Sequence, residues 1–239
     1  MYNKKKILAI IPARGGSKGL PKKNIKFLVN KPLIGWTIEQ AKTSKYIDEI
    51  HVSTDDREIA DIAERFDIKV PQLRPDNLAL DTTSSMDVVE YIIEFYSKKS
   101  QEFDIIILLE PTSPLRKIDD IDNAIELLME NDQSDGVISV GEVQTEHPLS
   151  VKKINESGKL EPYFESTKKI YQRQQMDKAY FPYGVIYMIK TDIFKQKKAF
   201  YTENVIPYFI ERWQNYEIDD ICDFICVENI LKAKIEKLI

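Results

Sequence analysis

Residues 6–12 (KILAIIP) and 104–109 (DIIILL) are almost unbroken apolar runs, and each is too short for a buried helix. Runs of this length, rich in isoleucine, are strands buried on both faces. Such strands occur in parallel sheets covered by helices on each side. Segments with helical spacing separate these runs from further strand candidates. Strands are expected at 6–12, 49–53, 68–73, 104–109, 136–140, 184–189 and 216–219, and helices at 33–44, 56–66, 84–97, 119–130 and 221–238. Val88, Val89, Ile92 and Ile93 share one helix side, as do Ile121, Ala124, Ile125 and Leu128. The β-α alternation predicts an α/β fold with a mostly parallel sheet. The pattern breaks at about 145–182, where a Pro, a Ser157-Gly158 turn, several lysines and short alternating segments suggest an antiparallel insertion or arm. With 239 residues and no repeat or linker, the economical reading is a single domain, 1–239, carrying that inserted arm.

Composition removes several function classes. Apolar residues make up 43% of the chain and charged residues 31%, and the formal charge is −5. A mildly acidic chain lacks the basic footprint of a nucleic-acid binder, so no nucleic-acid partner is expected. No apolar run approaches the ~20 residues that cross a bilayer, so no membrane association is expected either. The basic start followed by an apolar stretch imitates a signal peptide, but the stretch is too short and Arg14 follows it. The two cysteines, Cys222 and Cys226, stand four apart in an expected helix, which fits a reduced, cytoplasmic protein.

The first site candidate lies where the first strand ends, at residues 13–24 (ARGGSKGLPKKN). Ligands of open α/β sheets bind outside the carboxyl ends of strands. Glycines let backbone N–H groups approach phosphate oxygens. Arg14 offers a planar fork and Lys23 a point charge, a combination suited to a triphosphate. The loop is neither a Walker A sequence nor GxGxxG, so ATPase and dinucleotide-dehydrogenase readings lose support. A solvated basic turn is the plain alternative. Glu217 and Asp219, two apart on an expected strand end, would point to one side, and two carboxylates with phosphate oxygens can hold Mg²⁺. Asp220 and Asp223 are read as helix N-terminal charges. His51 and His147 are read as structural.

The string IPARGGSKGLPKKN (11–24) resembles the signature loop of the acylneuraminate cytidylyltransferases, the CMP-sialic acid synthetase family. LEPTSPLR (109–116) is similar to that family's LxPTSPLR, and Arg173-Gln174-Gln175 through Tyr180 to 184–187 is similar to its RQD…Y…NGAIY. Glu217-Ile218-Asp219 falls where the family has an acidic pair before its last helix. The resemblance covers roughly residues 6–235. It implies a three-layer, Rossmann-like nucleotidyltransferase domain, usually a homodimer, that transfers CMP from CTP to a nonulosonic acid sugar and releases pyrophosphate. It further implies that Ala13, Arg14, Ser17, Lys23 and Asn24 line the CTP phosphates. Arg74 and Ser85 would contact the cytidine part, and Glu110, Arg173, Gln174 and Tyr183 the sugar. Glu217 and Asp219 would bind Mg²⁺, with Arg14, Lys23 and Asp219 as the catalytic set. Outside the family, Arg74 reads as a surface loop arginine, Arg173 as an ordinary exposed one and Ser85 as a helix N-cap. Glu110, Tyr183 and Gln175 replace the family's Gln, Asn and Asp, all on the sugar side; the LEPTSPLR form resembles the branch acting on legionaminic acid. The rival readings are a synthetase for ketodeoxyoctonate, one using UTP or GTP, a silent nucleotide binder on the same fold, and a glycosyltransferase with a mid-chain DxD.

Overall fold

The structure is a computed structural model, and it describes residues 2–164 and 176–238. Among the described residues the strands are β1 (Ile7–Pro12), β2 (Phe27–Leu28), β3 (Lys31–Pro32), β4 (Glu49–Ser53), β5 (Ile105–Leu108), β6 (Gly136–Glu142), β7 (Lys152–Ile154), β8 (Leu160–Pro162), β9 (Tyr180–Lys190) and β10 (Val205–Phe209). The helices are α1 (Leu33–Thr43), α2 (Arg57–Arg65), α3 (Ser85–Ser97), α4 (Asp120–Glu130), α5 (Thr191–Lys197) and α6 (Ile221–Ile235). Six strands form the central sheet in the order β10-β6-β9-β5-β1-β4, and β9 alone runs against the others. The expected mostly parallel sheet is therefore present. The pairs β2-β3 and β7-β8 form small antiparallel sheets of their own.

Strand periodicity decides the layers. Ile7, Ala9 and Ile11 of β1 face a core built with α1, α2 and α4, while Leu8 and Ile10 face the opposite core with α3 and α5. Ile105 and Ile107 alternate with Ile106 and Leu108 in the same way along β5. This explains why both runs are apolar at every position. A third cluster packs Phe224, Val227 and Leu231 of α6 against Leu20, Leu33, Leu115 and Ile218, and so ties the last helix to the loop after β1.

Caps set the helix starts. Asp56 accepts from Glu58 N and Ile59 N, Ser84 and Asp87 form a capping box, and Asp220 accepts from Cys222 N and Asp223 N. Asp220 and Asp223 thus hold the N-terminus of α6, as read from sequence. Ser84, not Ser85, is the N-cap of α3; Ser85 is its first helical residue. Two expected strands are absent. Residues 68–73 contain Pro71, which has no N–H to give a ladder, and they run unpaired. Residues 216–219 are irregular, joined to the sheet side by an Ile218 N–H donated to Thr112 O at 2.9 Å. The premise that Glu217 and Asp219 share a strand face is therefore corrected. His51 on β4 is 3% exposed beside Tyr96, and burial pushes its pKa down to about 4, so the imidazole is neutral.

Candidate active site

Beyond the carboxyl ends of β1 and β5 opens a cavity of about 480 Å³. Arg14, Ser17, Lys23, Asn24, Arg74, Ser85, Glu110 and Asp219 all line it. These residues are scattered from 14 to 219 in the chain, and the fold brings them to one wall. Ala13 is fully buried behind it and donates its N–H to Ser53 O at 2.8 Å. Arg173 and Gln174 lie outside the described residues.

The loop after β1 is braced from beneath. Asn24 donates to Arg14 O at 3.0 Å, and Gly15 N donates to Asp55 Oδ1 at 2.9 Å. The Gly15 amide is thus spent on the scaffold rather than left for a phosphate. A Cβ at Gly19 would fall on the Asp219 carbonyl oxygen, so only glycine lets the loop lie this close to the segment before α6. Lys23 Nζ, on a side chain 13% exposed, donates to Ile218 O at 2.6 Å and pairs with Asp219 Oδ1 at 3.3 Å.

Arg74 is not a surface arginine. It is 6% exposed and donates to Ser53 Oγ at 3.0 Å and Ser53 O at 2.6 Å. Burial pulls its pKa down to about 10, with Asp55 opposing and Arg14 adding to the fall. Its guanidinium is a charged wall of the cavity anchored to the end of β4.

The LEPTSPLR segment wraps a bulge in β9. The β6–β9 register shifts between Ile138 and Val140, which leaves residues 183–186 outside the ladder. Side chains take over the pairing there. Ser139 Oγ accepts from Ile186 N at 2.8 Å and lies 2.5 Å from Tyr183 O. Arg116 donates to Gly184 O at 2.7 Å, Val185 O at 2.6 Å and Glu110 O at 2.8 Å. Bulges of this kind re-aim strands beside sites. Arg116 is buried, with its pKa pushed down to about 10 by desolvation. Sequence reasoning gave it no role; a buried fork aimed at carbonyls leaves no periodic signal.

Glu217 is fixed by this bulge. Its Oε1 accepts from Ser113 Oγ at 2.8 Å and from the Gly184 N–H. It faces a second cavity of about 550 Å³, shared with Tyr183, Glu142, Phe181 and Arg212. Gly184 sits between the two acids: its N–H donates to Glu217 on the second cavity, and a Cβ there would come 2.5 Å from Glu110 Oε2 on the first. The Glu110 carboxyl is pushed up to about 7, first by burial and then by Glu217, with Asp219 adding to it and Arg116 opposing. Sequence-predicted sugar-side residues thus divide between the cavities, Glu110 on the first and Tyr183 on the second. Asp81 and Lys18 also line the first cavity, and the sequence reading gave neither a role.

A cationic loop thus lies at the carboxyl edge of the sheet with a carboxylate across from it, where open α/β sheets bind their ligands. The fold is shared with solved structures. The structure of CMP:2-keto-3-deoxy-manno-octonic acid synthetase complexed with CTP superposes with a TM-score of 0.70 at 18% identity, covering 96% of this chain and 99% of that one. A 4-diphosphocytidyl-2C-methyl-D-erythritol synthase gives 0.65 at 13% identity, covering 95% and 99%.

The chain belongs to the cytidylyltransferase family, whose model matches residues 8–238. It is 36% identical to the CMP-N,N'-diacetyllegionaminic acid synthase of Legionella pneumophila, covering 98% of this chain and 100% of that protein. It is 32% identical to a pseudaminic acid cytidylyltransferase of Campylobacter jejuni, covering 96% and 95%. It is 31% identical to an N-acylneuraminate cytidylyltransferase of Escherichia coli, covering 92% of this chain but 50% of that protein, so it spans about half of that relative's length.

Proposed function

We propose that the protein transfers CMP from CTP to the anomeric hydroxyl of a nonulosonic acid, with release of pyrophosphate. The observation that carries this reading is the single cavity in which Arg14, Ser17, Lys23, Asn24, Arg74, Ser85, Glu110 and Asp219 meet. CTP occupies that cavity with its phosphates toward Arg14, Lys18 and Lys23. The sugar sits across Gly184, reaching from Glu110 toward Tyr183 and the second cavity. Its anomeric hydroxyl attacks the α-phosphorus in line, the bond to the β-phosphate bridging oxygen breaks, and pyrophosphate leaves. Such transfers need positioning and charge neutralisation more than covalent chemistry. Lys23 is held by Ile218 O and Asp219 where it can neutralise leaving-group charge.

Among the described residues no group of three or more metal-ligating side chains stands ready. That suits Mg²⁺, which takes one or two carboxylates and completes its shell with phosphate oxygens and water. The Asp219 side chain is 87% exposed at the cavity, with Oδ1 3.3 Å from Lys23 Nζ, and would serve as a ligand to such an ion. Glu217 faces the second cavity, with one oxygen committed to Ser113 and Gly184, so of the two carboxylates Asp219 is the one that lines the CTP cavity. The ion when bound neutralises phosphate charge and acidifies the attacking hydroxyl.

Support for a sugar of the legionaminic type comes from Glu110 and from the 36% identity to the relative named for N,N'-diacetyllegionaminic acid, matched over its whole length. A homodimer is supported by the exposed Ile154, Leu160, Tyr163 and Phe164 in and beside the β7-β8 hairpin. A cytoplasmic location fits a CTP-dependent reaction; no described helix is long and apolar enough to cross a membrane.

The test is pyrophosphate release with CTP and Mg²⁺ against legionaminate, pseudaminate, N-acetylneuraminate and ketodeoxyoctonate, with UTP and GTP as controls. Turnover with CTP and a nine-carbon sugar is expected, and Asp219→Asn should lower it by about a hundredfold or more as the metal's carboxylate ligand is lost. Turnover only with ketodeoxyoctonate, or only with UTP or GTP, overturns the assignment.

A further inference from the structure

The loop that closes the phosphate side of the cavity carries an acid aimed at the cations the nucleotide would use. Asp81 divides its carboxylate between two of them. Arg14 Nη1 donates to Oδ1 at 2.7 Å, and Lys18 Nζ lies 2.5 Å from Oδ2. All three side chains line the same cavity. The hydrogen bond from Lys18, reinforced by Arg14, holds the Asp81 carboxyl below the usual carboxylate range, so it is an anion at neutral pH. The side chains are 34%, 81% and 41% exposed for Arg14, Lys18 and Asp81, so the pairs are open to exchange with a solvent-borne anion.

We propose that Asp81 is an internal competitor at the phosphate site: a resident anion that occupies Arg14 and Lys18 until the phosphates of a nucleotide displace it. The inference rests on the reading of this cavity as the CTP site. A ligand that needs both cations binds only the fraction of molecules in which Asp81 has let go, and its apparent affinity falls by that fraction. Orthophosphate offers little more than the carboxylate it would replace. A triphosphate offers further oxygens to Lys23 and Ser17 on the same wall and keeps a net gain. When pyrophosphate departs, Asp81 recaptures the two cations and favours its release.

The experiment is calorimetric titration of the intact protein, without Mg²⁺ and at low salt, with pyrophosphate, tripolyphosphate, cytidine and CTP. Asp81→Asn is compared with Asp76→Asn, which removes an exposed acid from the same stretch of chain that does not line the cavity. Because Asp81 is exposed in a loop, the variant folds, and a melting curve checks this. Asp81→Asn should tighten pyrophosphate and tripolyphosphate by about three- to tenfold, the range of two part-exposed ion pairs, and the gain should shrink as salt rises. Cytidine should bind both proteins equally, and Asp76→Asn should behave as wild type. Unchanged or weaker polyphosphate binding by Asp81→Asn overturns the proposal. So does equal tightening by Asp76→Asn, which would make the effect bulk charge, or tightening of cytidine, which would make it loop opening. If wild-type protein binds tripolyphosphate but not CTP, the nucleotide reading fails while the Asp81 comparison still reports.

Discussion

Arg116→Met should unfold the protein at a markedly lower temperature, although no ion pair is broken. The guanidinium donates to three carbonyl oxygens, of Glu110, Gly184 and Val185, and to Thr37 Oγ1 and Gln40 Oε1. Glu110 O and Gly184 O each keep one other donor, Ser113 N and Glu110 N respectively. Val185 O loses the guanidinium in a stretch of β9 that the β6–β9 ladder bypasses. A bond from a charged donor contributes about 1.5–3 kcal/mol, and an orphaned buried acceptor costs about 1–3 kcal/mol. The arginine itself costs several kcal/mol to bury, which offsets part of the sum. The net loss is about 3–5 kcal/mol, or roughly 10 °C in Tm for a chain of this size. Methionine restores the packing volume but no donor. Arg116→Lys keeps the charge, cannot reproduce the fork, and should lose at least half as much. Urea and thermal unfolding measure both, and the KM for the sugar should rise with them because Glu110 is held from the same fork. A Met variant within about 1 kcal/mol of wild type would show that the bulge closes by other means and refute this account of the motif's arginine.

Two further perturbations follow. The folded Glu110 carboxyl titrates near 7 against 4.5 in a free chain. Folding therefore favours its neutral form, and the stability this lends at low pH is lost as pH rises from about 4.5 through 7. Glu110→Gln should raise Tm at pH 8 and leave it nearly unchanged at pH 4; a gain that is equal at both would contradict the burial argument. Gly19→Ala should push the phosphate loop off the segment before α6 and weaken CTP at least tenfold, by the steric cost of a Cβ set on a carbonyl oxygen. Normal CTP affinity in that variant would mean the loop moves freely on its own.

Much of the fold is visible in the residues because the central strands are buried on both faces. β1 and β5 are apolar at every position for that reason. β10 (VIPYF) escapes because it is an edge strand, with Phe209 61% exposed and Pro207 tolerated there, so the residues that form it look like a loop. α5 escapes because Thr191-Asp192-Ile193-Phe194 continues the apolar texture of β9 without a capping signal. The phosphate loop and Asp219 are legible from motif and position. The locations of Glu217 and Arg74 are not: one is captured by a bulge amide, the other by the end of a neighbouring strand. Such partners are fixed by tertiary geometry, to which no local spacing points. Asp81 was missed because a single acid in a polar loop has no pattern at all.

Lys23 reaches Ile218 O across 195 residues, and Gly19 rests on the same segment. This separation sets a timetable for synthesis. The cationic loop leaves the ribosome well before its carboxylate counterpart, since Asp219 follows 196 residues behind Lys23. A growing chain can lay down β1, β4 and β5 and still carry Arg14, Lys18 and Lys23 without Asp219 opposite. Until α6 docks, Lys23 lacks both of the partners that hold it, so the loop takes its final form only after the last helix is in place.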